Sequence, residues 1–194
     1  MLETVLTQRN VSLKIKVSVK AAVSVFMIVL AVILPQLVHM AAGAAGGMKW
    51  LPMYLPVLIG GCVLGWKWGL GVGILSPLFS FAVTSWSGEP MPAAARLPFM
   101  VAELAVFAVV SGLFSRKMLE NKWLAFPAVL LAQVAGRTAL IALVAVFEGV
   151  SPFTVQTIWA QIQGGLIGLV AQAVIVPLMV MGLICLLNKE DKHE

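Results

Sequence analysis

The chain has 194 residues, of which 61% are hydrophobic and only 11% charged. Soluble domains carry roughly 25% charged residues, so an ordinary water-soluble globule is excluded and a chain of apolar helices in lipid is expected. The formal net charge of +5 would suit nucleic acid, but the cations are spread over short connections between apolar runs. The positive-inside bias of membrane proteins explains them without such a partner.

Taken in chain order, residues 1–14 are polar to amphipathic and read as an interfacial segment. Span one runs from Ile15 to Val38. It is too long for a signal-peptide core and lacks a clear cleavage site, so it reads as retained. His39 to Lys49, rich in alanine and glycine, is expected as a small flexible loop. Span two, Leu51 to Leu64, carries Pro52 and Pro56 in its first turns, where helical N–H groups have no partner to lose. A tight turn at Trp66, Lys67 and Trp68 leads to span three, Gly69 to Ser85, and a polar, proline-bearing loop covers Trp86 to Leu97. Span four is Pro98 to Phe114, span five Trp123 to Phe147 and span six Ile158 to Leu187. Spans two to four fall short of the roughly 20 residues that cross a bilayer core. The expectation is an all-α integral membrane protein: a six-transmembrane-helix bundle over 15–187 with a charged tail at 188–194.

Tryptophans and cations give the orientation. Trp50, Trp86 and Trp159 fall on one set of boundaries, and Trp66, Trp68 and Trp123 on the other. Indole prefers the interface, being apolar with one N–H that seeks water. With cytoplasmic N- and C-termini, Arg9, Lys14, Lys16, Lys20, Lys67, Arg116, Lys117, Lys122, Lys189 and Lys192 lie at the inner face. Only Lys49 and Arg96 then fall outside. Cys62 and Cys185 lie toward the inner ends of their spans and read as buried apolar residues, not a disulfide.

Two charges sit at depth. Arg137 lies mid-way through span five, Gln133 is one turn earlier on the same face, and Glu103 lies within span four. A charge at that depth costs at least about 2.5–3.5 kcal/mol unless paired or hydrated. Two readings follow, and they are compatible. Arg137 faces an outward-opening polar cavity and binds an anionic or polar ligand, or it pairs with Glu103 and locks span four to span five. In span six, Gln161, Gly165, Gly168 and Gln172 share one face at helical spacing. Gln161 reads as a ligand or loop contact, and Gln172 as an interhelical hydrogen bond. Trp86 and Trp159 at the outer rim are candidates for stacking on a ligand ring, with a belt role as the default. His39 is a lone histidine without a second metal ligand at suitable spacing, Arg96 and Glu89 read as a solvated pair or an entrance guard, and Met40, Met91 and Met100 would suit an adaptable apolar lid. Glycines recur at four-residue steps, Gly61, Gly65, Gly69 and Gly73, then Gly164 and Gly168. None opens a phosphate loop. No nucleophile–base set or carboxylate pair points to catalysis, and no cofactor or metal is expected.

The chain resembles the substrate-binding S component of an energy-coupling factor (ECF) transporter over nearly its whole length. The resemblance rests on six spans in about this length together with local patterns. Leu55-Pro56-Val57-Leu58 with Gly60 and Gly65, then Gly69 to Pro77, is similar to the second turn of one vitamin-type branch. Met91-Pro92, Met100, Glu103 and Gly112 are similar to its fourth-span pattern, and Gly136-Arg137 with Gly165, Gln172 and Pro177 to its last two spans. The resemblance implies a high-affinity binding subunit for a vitamin or related micronutrient in a bacterial or archaeal plasma membrane. Its partners would be a membrane coupling subunit and two cytoplasmic ATPases. It implies a ligand held by the outer loops and by spans four to six, where the candidate contacts Arg137, Gln133, Glu103, Gln161, Trp86 and Trp159 lie, and a small-residue docking face on span one. Here that face is Ser18 and Ala22, four apart, with Ala21 beside them, although Ala21 pairs with Val25 instead of a second small residue. Two alternatives stay open: an S-like protein that acts alone, and a structural or assembly protein of the membrane.

Overall fold

The computed structural model describes residues 1–8, 12–86, 88 and 90–190, with the side chains of 3, 5, 8, 44, 45 and 187–190 left aside. Arg9, Glu89, Lys192 and the end of the charged tail lie outside the described residues, as does the side chain of Lys189. Among the described residues there is no strand. The helices are α1 (Leu2–Gln8), α2 (Leu13–Trp50), α3 (Tyr54–Leu64), α4 (Trp66–Trp86), α5 (Leu97–Leu113), α6 (Lys117–Glu120), α7 (Ala125–Phe147), α8 (Val155–Gly164) and α9 (Leu166–Glu190). Short 3-10 turns at Ala94–Arg96 and Lys122–Leu124 lead into α5 and α7.

Six segments are long and apolar enough to cross a membrane: Leu13–Gly43, Gly46–Leu64, Trp66–Trp86, Ala94–Leu113, Lys122–Phe147 and Leu166–Leu186. The chain is thus a multi-pass membrane protein. In lipid every backbone polar group must find an internal partner, and a helix supplies one for nearly all of them.

Two expectations about elements are corrected. The stretch from His39 to Lys49 is helical and not a loop; α2 runs on to Trp50, with a kink at Gly43 (φ 65°, ψ −171°). Alanine has the highest helix propensity and outweighs the glycines except at that residue. The helical turn at 46–50 lengthens the short second span to Gly46–Leu64. Span six is not one helix. It breaks at Gly165 (φ −89°, ψ 0°) into amphipathic α8 and membrane-length α9.

α3 is the centre of the bundle. Ten of its eleven residues are buried, all but Leu55, and it touches α2, α4, α5, α7 and α9. An apolar all-round helix of this kind belongs in a core. α2 is its opposite: Val25, Phe26, Val29, Ile33 and Leu37 are exposed along one stripe, and Ser18 and Ala22 lie on that outward face. Lipid tails are as apolar as leucine, so close packing must hold the helices together, and small residues permit it. A Cβ on Gly61 would lie 2.7 Å from the Ala108 carbonyl oxygen, one on Gly69 2.9 Å from the Gly61 Cα, and one on Gly73 2.6 Å from the Leu104 carbonyl oxygen. The recurring glycines therefore form the contact of α3 and α4 with α5. Cys62 is buried, Cys185 exposed, and both are free thiols.

Met1 and the later part of α9 approach one end of the bundle. Met1 lies beside the Gly65 turn and Arg116, and the Lys122 ammonium contacts the Cys185 sulfur at 3.6 Å.

Candidate functional site

At the opposite end a cavity of about 440 Å³ opens between α2, α3, the connection before α5, and α8. Its size falls within the 300–1,000 Å³ range of small-molecule sites. The wall is mostly apolar and rich in methionine: Met48 from the last turn of α2, Met53 from the α2–α3 connection, Met91 from the loop and Met100 from α5. Residues with polar side chains are few, namely His39, Tyr54, Ser80, Arg96 and Gln161.

Local chemistry fixes each wall. Leu51 turns the chain from α2 into α3 in a left-handed conformation (φ 48°, ψ 50°), which is costly for a residue with a Cβ. Gln172 of α9 holds this turn, its Nε2 donating to the carbonyls of Trp50 (3.0 Å) and Leu51 (2.9 Å). Gly168 makes the approach possible, since a Cβ there would lie 2.5 Å from the Lys49 carbonyl oxygen. Across the cavity, Ser80 Oγ donates to the Met91 carbonyl (2.8 Å), and the Met91 N–H donates to Thr84 Oγ1 (2.7 Å). The peptide bond Met91–Pro92 is cis. The loop is thus tied to α4, which sets Met91 in the wall.

The floor is a buried polar cluster drawn from three spans. Tyr54 on α3 donates its hydroxyl to Glu103 Oε2 on α5 at 2.8 Å. Arg137 Nη1 on α7 lies 2.9 Å from Glu103 Oε1. The guanidinium also sits 5.0 Å from the centre of the Tyr54 ring, a cation–π contact. Phe107 meets that ring edge-on at 5.1 Å. Gly136, beside Arg137, lets α7 close on α5, because a Cβ there would strike the Phe107 ring. The charge contact is close but its N–H groups are not well aimed: Arg137 Nε, Nη1 and Nη2 and Glu103 Oε1 are all buried without a hydrogen-bond partner. The cluster therefore depends on charge proximity, the Tyr54 hydrogen bond and the aromatic face, and losing one charged partner would strand the other inside the bundle.

The residues singled out from sequence separate into four groups. Gln161 lines the cavity. Glu103 and Arg137 form the ion pair beneath it and reach its wall through Tyr54. Gln133 donates to the Leu169 carbonyl at 3.1 Å, tying α7 to α9. Trp86 is 94% exposed and Trp159 is also exposed; neither lines this cavity. Gln161 and Gln172 do not share a helical face, since the break at Gly165 sends one to the cavity and the other to the α2–α3 turn. His39 and Arg96, the latter read as a solvated residue or an entrance guard, stand in the wall with Met91 and Met100, whereas Met40 is exposed. Tyr54, Met48 and Met53 do not stand out in the sequence as site residues. Tyr54 nonetheless carries a signal, as the chain's single tyrosine placed inside a span, where its hydroxyl must find a partner.

These features define the class: a multi-pass α-helical membrane protein with an apolar, methionine-lined cavity above a buried tyrosine–carboxylate–guanidinium cluster. No family model, curated protein or solved structure matches the chain.

Proposed function

We propose that the chain is the substrate-binding subunit of a micronutrient uptake system, an S-type component energised by a separate ATPase module. The observation that carries this reading is the cavity of about 440 Å³ with a mainly apolar wall and a few convergent polar groups. That composition suits a compact, largely apolar molecule held in orientation by a small number of hydrogen bonds. Arg96 and Gln161 are the polar groups that ligand would meet, with Arg96 suited to a carboxylate through charge-assisted bonds. Arg137 acts one step away: it holds Glu103, which accepts from the hydroxyl of Tyr54, a residue of the cavity wall. The methionines adapt to ligand shape because their side chains are unbranched and polarisable.

The cations support placing the termini in the cytoplasm. Lys14, Lys16, Lys20, Lys67, Arg116, Lys117 and Lys122 belong to the end bearing Met1, and Lys49 and Arg96 to the other. The positive-inside rule assigns the richer end to the inner face, so the cavity opens outward. In this reading Ser18, Ala21 and Ala22 on the outward stripe of α2 meet the coupling subunit, and the chain itself carries no catalytic step.

A thermal-shift screen of vitamins and their precursors against the detergent-purified protein tests the proposal. A saturating ligand should raise the midpoint, and Arg96→Ala with Gln161→Leu should abolish the shift while leaving the unliganded midpoint in place. A shift of unchanged size in that double variant would remove the cavity from the account.

A further inference from the structure

The end that bears Met1 holds a second cleft, of about 570 Å³, independent of the cavity above. It lies where the α3–α4 turn meets the end of α5. Gly65 makes the turn with φ +83°, and Gly112 lets α5 press against it, since a Cβ there would fall 2.5 Å from the Trp66 nitrogen. This close approach sets Arg116, just past α5, beside the first turn of the 21-residue α4. The cleft is lined by Lys67 and Arg116, both exposed, by buried Lys20 and Ser115 at its base, and by the backbone from Gly65 to Trp68. Among the described side chains that line it, none is acidic. The amino-terminal turn of α4 adds free N–H groups and the positive end of a helix dipole. An anion with several acceptor oxygens meets Lys67, Arg116 and these N–H groups at once, whereas buried Lys20 already has a partner of its own.

The surroundings distinguish between anions. Trp66 and Leu113 form part of the same lining and are exposed, Leu113 at 60%, so cationic and apolar surface are continuous at the level of the interface tryptophans. A soluble phosphate would use only the cations. An amphiphile would use both, its head in the cleft and its chains along Leu113 and Trp66.

We propose that this cleft binds the phosphate group of an anionic phospholipid from the adjoining leaflet. Native mass spectrometry of the detergent-purified full chain, titrated separately with phosphatidylglycerol and phosphatidylcholine, tests it. The protein should take up phosphatidylglycerol preferentially. Lys67→Ala/Arg116→Ala should weaken that binding by about 30-fold, as two surface cations near a lipid head contribute, and should leave phosphatidylcholine binding unchanged. The charge-matched Lys14→Ala/Lys117→Ala, exposed cations outside the cleft lining, should keep the preference. Equal loss in both variants would mean diffuse surface charge and overturn the site. Displacement of the lipid by millimolar inorganic phosphate would overturn the lipid assignment in favour of a soluble phosphate.

Discussion

The two clefts at opposite ends of this bundle are shaped by similar backbone devices and differ in how charge is handled. At the end bearing Met91, the ionic groups at the floor are internal: Glu103 and Arg137 neutralise one another and Tyr54 separates them from the cavity. At the end bearing Met1, Lys67 and Arg116 stay exposed around the cleft. Turns of positive φ, at Leu51 and Gly65, and close helix approaches, at Gly168 against Lys49 and at Gly112 against Trp66, form both. The same packing rule thus surrounds one cleft with a mostly apolar wall over a buried ion pair, with Arg96 as the cation of that wall, and the other with two exposed cations, Lys67 and Arg116.

The sharpest way to break this contrast is to unpair the floor. Arg137→Leu strands Glu103 in the bundle and should cost about 3–5 kcal/mol, seen as a large drop in the thermal midpoint in detergent. Glu103→Leu/Arg137→Leu should recover most of that loss, because neither charge is then left alone. A double variant as unstable as the single one would show that the pair does more than cancel itself. The phosphatidylglycerol preference at the far end should persist in the double variant.

Tyr54→Phe is a gentler probe of the same floor. It removes the donor to Glu103 Oε2 and should cost about 1.5–3 kcal/mol, the range for hydrogen bonds to charged groups. It should also weaken ligand binding, which Gln133→Leu, at the α7–α9 contact, should not. Equal ligand affinity in Tyr54→Phe and the parent would detach the cluster from the cavity.

The mirror experiment is Gly112→Val. It drives a side chain into the Trp66 backbone and should cost about 1–3 kcal/mol through overpacking. Here the lipid preference should fall while ligand binding at the other end is kept. Loss of both would show that the two ends are mechanically joined. Smallest of all is Trp86→Phe: with the indole 94% exposed and outside the cavity, stability should move by no more than about 0.5 kcal/mol and ligand affinity not at all.

Much of the architecture is legible in the residues alone. Runs of apolar residues between tryptophans mark six spans, because bilayer thickness fixes the length of a crossing helix. Arg137 and Glu103 stand out by depth alone, and their pairing is one of the two readings that the sequence allows. What the residues conceal are long-range and conformational matters. Met40 to Gly47 reads as a loop because glycine is common there, yet its alanines sustain a helix with one kink at Gly43. The glutamines of the last span read as one stripe only if helical spacing continues across Gly164 and Gly165; the break there separates their roles. The cavity draws on residues from Pro35 to Gln161, a convergence that local pattern does not encode.

The most direct test of the central claim is mass spectrometry of small molecules released when the detergent-purified protein is denatured, compared between the parent and Arg96→Ala/Gln161→Leu. The account predicts about one equivalent of a compact, vitamin-like compound from the parent and none from the variant. The same compound in equal amount from both proteins would contradict it, as would an empty parent that no vitamin or precursor stabilises.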